Sequence, residues 1–203
     1  MIAVEGFKVL VVSFFLTILF LLMRLYFISG VVFVFFLFSI FFFRDPSREK
    51  KFDTDEIVSP ADGKILEIAN EGGEVSISIF MSLTDVHVNR VPYGGKVRSI
   101  KRSGKKFLRA FLKEADFENV QCETVIESPS LGEYRVIQIT GIIARRIVNN
   151  LKVGQEVKTG QRMGIILYGS KVKLILPSEK VEILVTPGQK VKAGITTIAH
   201  VRI

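Results

Sequence analysis

The N-terminal part of the chain consists of two long apolar runs separated by a single charge. Residues 9–23 hold no charged residue, Arg24 interrupts, and residues 25–43 form a second uncharged run. A helix that crosses the hydrocarbon core of a bilayer needs about 20 apolar residues, so the second run nearly reaches that length and the first is somewhat shorter. We therefore predict an apolar helical hairpin over residues 1–43, which either spans the membrane or enters it as a re-entrant pair. Burial inside a protein core is the alternative, but the rest of the chain is too small to cover so wide an apolar surface.

From residue 56 onward apolar and polar residues alternate, which is the pattern of β-strands with one buried face. The stretch EVSISIFM at 74–81 is an example, and turn residues separate it from similar stretches along the chain. Many short strands with regular turn signals are typical of a β-sandwich or barrel. We predict a mainly β catalytic or binding domain over residues 56–203, joined to the hairpin by a linker of residues 44–55.

A short internal repeat supports the β prediction. VGQEVKTG at 153–160 recurs as PGQKVKAG at 187–194. Such a unit forms a tight turn that leads into a strand, and it resembles the hairpins of biotinyl and lipoyl carrier domains. The chain lacks the modifiable lysine of an M-K-M-like hairpin, which argues against a carrier role.

One segment departs from the strand pattern. In KKFLRAFLKEADFEN, residues 105–119, apolar residues recur at helical spacing with basic residues between them. This pattern predicts a short amphipathic stretch. It is either a helix packed on the sheet or a mobile segment that faces a membrane or covers a substrate.

Composition and charge narrow the function. The chain has 203 residues, a formal net charge of +8, one cysteine and two histidines. This composition excludes a disulfide framework and argues against a zinc or iron centre, which normally needs three or four good ligands. No phosphate-binding glycine loop is present, and we expect no nucleic-acid partner. The basic stretch RDPSREKK after residue 43 favours a cytoplasmic linker close to anionic headgroups, with the β-rich domain on the cytoplasmic side of the cell membrane.

Three separate motifs carry candidate chemistry: Asp62 in SPADGK, His87 in FMSLTDVHVNR, and Ser170 in YGS. Together they supply a carboxylate, an imidazole and a hydroxyl, the groups that activate a serine nucleophile. The G-x-S-x-G elbow of many serine hydrolases is absent, and a strand rather than a helix follows Ser170. A use of the serine other than ordinary hydrolysis therefore has to be considered.

These motifs, in this order, resemble those of the short, membrane-anchored form of the phosphatidylserine decarboxylase family, whose members depend on a pyruvoyl group. The resemblance covers nearly the whole chain. It is carried by the apolar hairpin and by five further motifs, namely SPADGK (59–64), FMSLTDVHVNR (80–90), KKFLRAFL (105–112), GIIARRIV (141–148) and YGSKVKLILP (168–177).

The resemblance implies a proenzyme that cuts itself between Gly169 and Ser170. The Ser170 hydroxyl would attack the Gly169 carbonyl, with His87 as base and Asp62 orienting it. The products would be a β chain of residues 1–169 and an α chain of residues 170–203, which begins with a pyruvoyl group made from Ser170.

The resemblance also implies the reaction and its site. The pyruvoyl carbonyl would form a Schiff base with the amine of a serine phospholipid, and loss of CO2 would give the ethanolamine phospholipid, with His87 the candidate proton donor. Arg90, Lys171 and Arg145 are candidate headgroup ligands, and no metal is implied. Longer members of the family carry a second histidine where this chain has Arg90, so His87 would serve alone.

Two other functions stay open from the residues: a membrane-anchored serine hydrolase with Ser170 as a lasting nucleophile, and a non-enzymatic β-sandwich adaptor. The residues do not decide whether the lipid is phosphatidylserine or the ether-linked archaetidylserine. They also leave the oligomeric state open, a homo-oligomer included.

Overall fold

The computed structural model describes residues 1–48, 50–110, 112, 114–142, 146–167 and 170–202. The chain divides into two compact units, Met1–Ser47 and Arg48–Ile203. Each unit is described separately below.

The first unit is a pair of packed helices, α1 (Phe7–Leu22) and α2 (Tyr26–Phe42). Arg24 makes the turn between them in a left-handed conformation, with φ 59°. The ends of the unit meet because Ala3 donates its backbone N–H to the Phe43 carbonyl over 2.7 Å. Including a short 3-10 turn, the helix Val4–Leu22 is long and apolar enough to cross a membrane, whereas Tyr26–Phe42 is shorter. The predicted helical hairpin is therefore confirmed.

The second unit is built from antiparallel strands. In chain order the elements are β1 (Glu56–Val58), β2 (Gly63–Glu71), β3 (Glu74–Met81), β4 (Val88–Arg90), β5 (Gly95–Ser103), α3 (Ala115–Glu118), β6 (Gln121–Ser128), β7 (Gly132–Thr140), β8 (Arg146–Asn149), β9 (Glu156–Val157), β10 (Arg162–Leu167), β11 (Ser170–Pro177), β12 (Val181–Ile183), β13 (Lys190–Val191) and β14 (Thr197–Val201).

Within the described residues, these strands form one large sheet and two small ones. The large sheet has the order β13-β2-β3-β11-β7-β6-β5-β9, and the small sheets have the orders β1-β14-β12 and β4-β10-β8. Register shifts in β2 and β5 mark bulges, which bend the large sheet into a half-barrel. The apolar faces of the strands enclose one core, in which Ile77, Met81 and Val172 are fully buried. The prediction of a mainly β fold is confirmed.

The two copies of the repeat form matching turns at the two edges of the large sheet. Gly154 and Gly188 adopt φ values of 84° and 91°, which a glycine takes without strain. Each turn leads into an edge strand, β9 or β13. The repeat therefore frames the sheet on both sides.

The segment predicted as amphipathic is mostly not helical. Among its described residues only Ala115–Glu118 form a helix, and Phe111 and Lys113 lie outside the described residues. The Asn119 side chain explains the difference, because it forms hydrogen bonds with the backbone N–H and carbonyl of Leu108, which a helix would use for its own hydrogen bonds. Its Oδ1 accepts the Leu108 N–H over 2.7 Å, and its Nδ2 donates to the Leu108 carbonyl over 2.9 Å.

Candidate active site

Ser170 is the first residue of β11, the strand at the middle of the large sheet. It pairs with Met81 on one side and with Thr140 on the other, and it is fully buried. Its hydroxyl donates to the Met81 thioether sulfur over 3.3 Å, which is a weak acceptor. The predicted partner of the cleavage, Gly169, lies outside the described residues together with Tyr168.

His87 lies in the loop that leaves β3 and enters β4, and it is also fully buried. A turn shapes this loop, in which the Asp85 carboxylate accepts hydrogen bonds from the N–H and the hydroxyl of Ser82, each at 2.8 Å. His87 Nδ1 lies 2.9 Å from the Asp85 carbonyl oxygen. Because a carbonyl oxygen only accepts, Nδ1 carries the proton, and Nε2 is the basic nitrogen of the neutral ring.

Asp62 lies in the turn that leads into β2. Gly63 allows this turn, because a Cβ there would lie 2.0 Å from the Phe80 carbonyl oxygen. The Asp62 carboxylate forms a two-pronged ion pair with Arg48, with one contact at 2.7 Å, and it accepts the Ala193 N–H over 2.8 Å. Among the described residues, no hydrogen bond joins Asp62 to His87, so the orienting role of Asp62 stays a prediction.

The strand register brings these three positions to the same end of the large sheet. β3 ends at Met81, opposite the first residue of β11, and the loop with His87 starts there. β2 begins just after Asp62, and its Lys64 pairs with Phe80 next to Met81. This end of the sheet, where Ser170, His87 and Asp62 lie, is called the active end below.

A buried row of polar side chains runs inward from Ser170, and sequence reasoning missed it. Asn89 Nδ2 lies 3.6 Å from the Met81 sulfur, and Gln138 Nε2 donates to Asn89 Oδ1 over 2.8 Å. The half-buried Asn149 continues the row toward Thr124, to which it donates over 2.8 Å. Buried side-chain amides need hydrogen-bond partners, so these contacts hold the side chains behind Ser170 in one arrangement. The only sign of this row in the sequence was the presence of single Asn and Gln residues within predicted strands.

Two more residues of the site were missed, Asp85 and Arg48. The S-x-x-D spacing of Ser82 and Asp85, directly before His87, was a usable turn signal. No local pattern pointed to Arg48, because its partners Asp62 and Ala193 are far away in sequence.

The three candidate headgroup ligands have different surroundings. Lys171 is buried and pairs with Asp116, and it lies on the face of the sheet opposite to Ser170. Arg90 donates to the Gly160 carbonyl over 3.1 Å, next to the glycine turns of the repeat. Arg145 lies outside the described residues. Headgroup binding by these residues stays a prediction.

The described residues contain no group of three or more metal-ligating side chains of the His, Cys, Asp and Glu types. The single cysteine, Cys122, is fully buried. Burial raises the pKa of its thiol, an effect that Arg102 and the hydrogen bond from Asn149 oppose. The thiol therefore stays protonated at neutral pH, as a packed core group does.

The site thus combines a buried serine at the start of a central strand with a buried histidine in an adjoining loop, two groups that an enzyme could use together. Comparison with known proteins specifies which enzyme class this is. The model of the phosphatidylserine decarboxylase family matches residues 35–199.

Similar proteins cover nearly the whole chain. A phosphatidylserine decarboxylase proenzyme of Carboxydothermus hydrogenoformans is 43% identical, over 98% of this chain and 95% of its own length. A second such proenzyme, from Geotalea uraniireducens, is 37% identical over 97% of this chain and 95% of its own length. A putative archaetidylserine decarboxylase proenzyme of Methanosarcina barkeri is 41% identical, over 81% of this chain and 78% of its own length.

The chain belongs to the phosphatidylserine decarboxylase family. It is therefore a decarboxylase proenzyme of phospholipid biosynthesis, of the type that derives a pyruvoyl group from its own chain. The resemblance drawn from the sequence motifs is confirmed, and the hydrolase and adaptor alternatives are wrong.

Proposed function

We propose that this chain cuts itself between Gly169 and Ser170, and that the mature enzyme converts a serine phospholipid to the ethanolamine phospholipid and CO2. The observation that carries the proposal is the position of Ser170, buried at the first residue of a central strand at the active end. The named relatives act on phosphatidylserine or archaetidylserine, which share a headgroup, and the substrate is one of these two lipids.

His87 starts the self-cleavage. Its Nε2 accepts the Ser170 hydroxyl proton once the hydroxyl leaves the weak contact with the Met81 sulfur. The serine oxygen attacks the Gly169 carbonyl carbon, and the amide bond is exchanged for an ester. Loss of the Ser170 α-proton then expels the Gly169 carboxylate and leaves dehydroalanine. Addition of water to this residue gives the ketone and releases ammonia.

The residues around Ser170 fit the group that would replace it. Residue 170 would lose its nitrogen after the cut, so the pairing of Lys171 and Val172 with β3 and β7 would hold the new chain end in place. The pyruvoyl group supplies a ketone that takes up the substrate amine and accepts the electrons left by CO2. His87 is the group that returns a proton to the product, because its reference pKa near 6.5 suits both acid and base roles.

Asp62 is the candidate that orients His87, and Arg48 fixes the position of its carboxylate. Arg90, Lys171 and Arg145 remain candidates for contact with the headgroup. For Lys171, such contact requires release from Asp116.

The protein acts at the cell membrane, with the apolar helices as anchor and the β-rich unit on the cytoplasmic side. Support comes from the long apolar helix Val4–Leu22 and from the basic residues that follow α2 in sequence. The partners are the lipid substrate and the chain's own second fragment. A homo-oligomer is compatible with these roles, and nucleic acid is not among the expected partners.

Intact-mass analysis of the purified full chain tests the proposal. The active protein should contain two chains, the smaller beginning at residue 170 and blocked by a ketone. Ser170→Ala should remain a single chain. The control is Ser178→Ala, eight residues further along the chain, where the hydroxyl makes only an exposed hydrogen bond to the Gly73 carbonyl; this variant should be cut normally. An active preparation that consists only of the uncut 22.8 kDa chain would overturn the proposal.

A further inference from the structure

The active end of the large sheet exposes large apolar side chains on the segments that follow β3, β5 and β7. Leu83 lies in the loop after β3 and is 36% exposed, and Ile142 follows β7 and is 51% exposed. In the segment between β5 and β6, Phe117 is 80% exposed. This set of exposed side chains, called the apolar rim below, is completed by Phe107 and Leu112.

The segment that carries most of the apolar rim is tied directly to the strands beside Ser170. Asn119 Nδ2 donates to the carbonyl of Thr140, the register partner of Ser170, over 2.8 Å. Asp116, next to Phe117, forms an ion pair with Lys171, the residue after Ser170. The rim is therefore positioned by the same strands that position the reactive serine.

The opposite end of the sheet has a different character. The turn between β2 and β3 is Gly72-Gly73, and the turn between β6 and β7 buries its one large apolar residue, Leu131. The connection after β11 is the polar stretch 178–180. These three turns expose no large apolar side chain. Val153, in the turn before β9 near the same end, is 64% exposed, so the contrast lies in the several exposed apolar side chains of the active end.

Positive charge accompanies the apolar rim. The end of β5 and the segment that follows it expose five cations, namely Lys101, Arg102, Lys105, Lys106 and Arg109, of which Lys106 is paired with Glu118. Apolar side chains that enter the acyl region, flanked by cations at headgroup level, are the pattern of a surface that binds an anionic bilayer.

We propose that the apolar rim is a second membrane-binding surface, distinct from the N-terminal helices, that seats the active end of the β-rich unit on an anionic bilayer. The inference rests on the proposed function in that the substrate is a lipid. Its consequence is that the headgroup reaches Ser170 while the acyl chains stay in the membrane. A substrate that is already in water gains nothing from the rim.

Single-tryptophan reporters test the membrane contact directly, because the chain contains no tryptophan. We would place Phe117→Trp and, separately, Val153→Trp in the full chain and reconstitute both in vesicles of brominated phosphatidylcholine and phosphatidylglycerol. Val153 is 64% exposed and lies near the opposite end of the sheet, where Gly154 donates to Val97. Bromine should quench the tryptophan at 117 and leave that at 153 unaffected. Equal quenching of both, or of neither, would overturn the proposal.

Activity gives a second readout. Phe117→Ser should lower kcat/KM for phosphatidylserine in vesicles by about threefold or more, while the rate with a monomeric short-chain phosphatidylserine and the self-cleavage stay unchanged. Val153→Ser is the matched control and should change neither rate. An equal loss with both lipids would mean that Phe117 acts within the site, against the proposal. If the parent chain decarboxylates neither lipid, the proposed function fails, and the quenching still decides the membrane contact.

Discussion

At the scale of single residues, two acidic residues at the active end have different surroundings. Asp85 shapes the loop and presents its carbonyl to His87 Nδ1, which leaves Nε2 as the ring nitrogen that can accept a proton. Asp62 is held by Arg48, and both side chains are nearly buried, with exposures of 12% and 7%. A buried carboxylate needs a compensating charge, so Arg48 is as necessary to this site as the carboxylate itself.

Removal of Arg48 should therefore be costly. In the uncut Ser170→Ala background, Arg48→Ala should lower the free energy of unfolding by about 3 kcal/mol or more, because it leaves the Asp62 charge buried without its counter-ion. Denaturant unfolding of the full chain measures the loss.

The control for Arg48 is Arg135, whose ion pair with Glu74 is more exposed. Arg135→Ala should cost at most about 1 kcal/mol, since exposed ion pairs contribute little. Similar losses for the two substitutions would show that the Arg48 pair does not behave as a buried one.

The sequence named the candidate site residues, but their supporting contacts could not be predicted from it. Ser170, His87 and Asp62 stand in short motifs whose chemistry is legible locally. Arg48 and the row from Met81 to Asn149 depend on contacts between distant parts of the chain, and such contacts leave no periodic signal. The family resemblance implied that Asp62 orients His87, and the partners of Asp62 that the structure shows are Arg48 and the Ala193 N–H.

At the scale of elements, the strands could be predicted because alternating apolar and polar residues indicate a strand with one buried face. The conformation of the segment 105–119 could not be predicted in this way. Its apolar spacing is helical, yet Asn119 satisfies the backbone of Leu108, and the Glu118 carbonyl accepts both Lys105 and Lys106 N–H groups at 2.9 Å. These closing contacts hold an irregular loop. Side chains that bond to backbone compete with helix formation, and the periodicity of apolar residues does not record that competition.

Asn119 should be the residue on which this loop depends. It is fully buried and makes three hydrogen bonds, so Asn119→Ala should lower the free energy of unfolding by about 3 kcal/mol, because buried backbone groups lose their partners. Limited proteolysis should then cut within residues 105–118. Asn70→Ala, at an exposed position of β2, is the control and should change the free energy by no more than about 0.5 kcal/mol. Unchanged protease resistance of Asn119→Ala would contradict this role.

The small sheet of β1, β14 and β12 gives a prediction about pH. Burial alone would raise the pKa of Glu56, but hydrogen bonds from Lys50, Thr197 and the Asp53 N–H outweigh it and lower the pKa below 4.5. A carboxyl group whose pKa is lower in the folded than in the unfolded state stabilises the fold at pH values above its unfolded-state pKa. This contribution is lost as the pH falls through the pKa of the folded state.

The difference in free energy of unfolding between the parent chain and Glu56→Gln should therefore be full above pH 4.5 and shrink in more acidic solution. Urea unfolding at a series of pH values measures it. Glu179→Gln, at an exposed carboxylate that forms no ion pair in the described part of the chain, should show no such trend. A difference for Glu56→Gln that stays constant with pH would refute the assignment.

At the scale of the whole molecule, the position of the cut decides how the mature enzyme holds together. The α chain of residues 170–203 would contain β11, β12, β13 and β14. β11 lies between β3 and β7 in the large sheet, β13 pairs with β2, and β14 pairs with β1. All of these partner strands belong to the β chain, so the two fragments share the large sheet, the small sheet β1-β14-β12 and one core.

The two chains should therefore stay bound after cleavage and separate only when the whole fold unfolds. Native mass measurement should show a single species that contains both chains, while denaturing electrophoresis separates them. Because folding of the cut protein joins two molecules, its recovery from denaturant should depend on protein concentration. The uncut Ser170→Ala chain should refold at a rate independent of concentration, since its strands remain covalently joined. Loss of the α chain under native conditions would contradict the interleaved arrangement, and so would concentration-independent refolding of the cut protein.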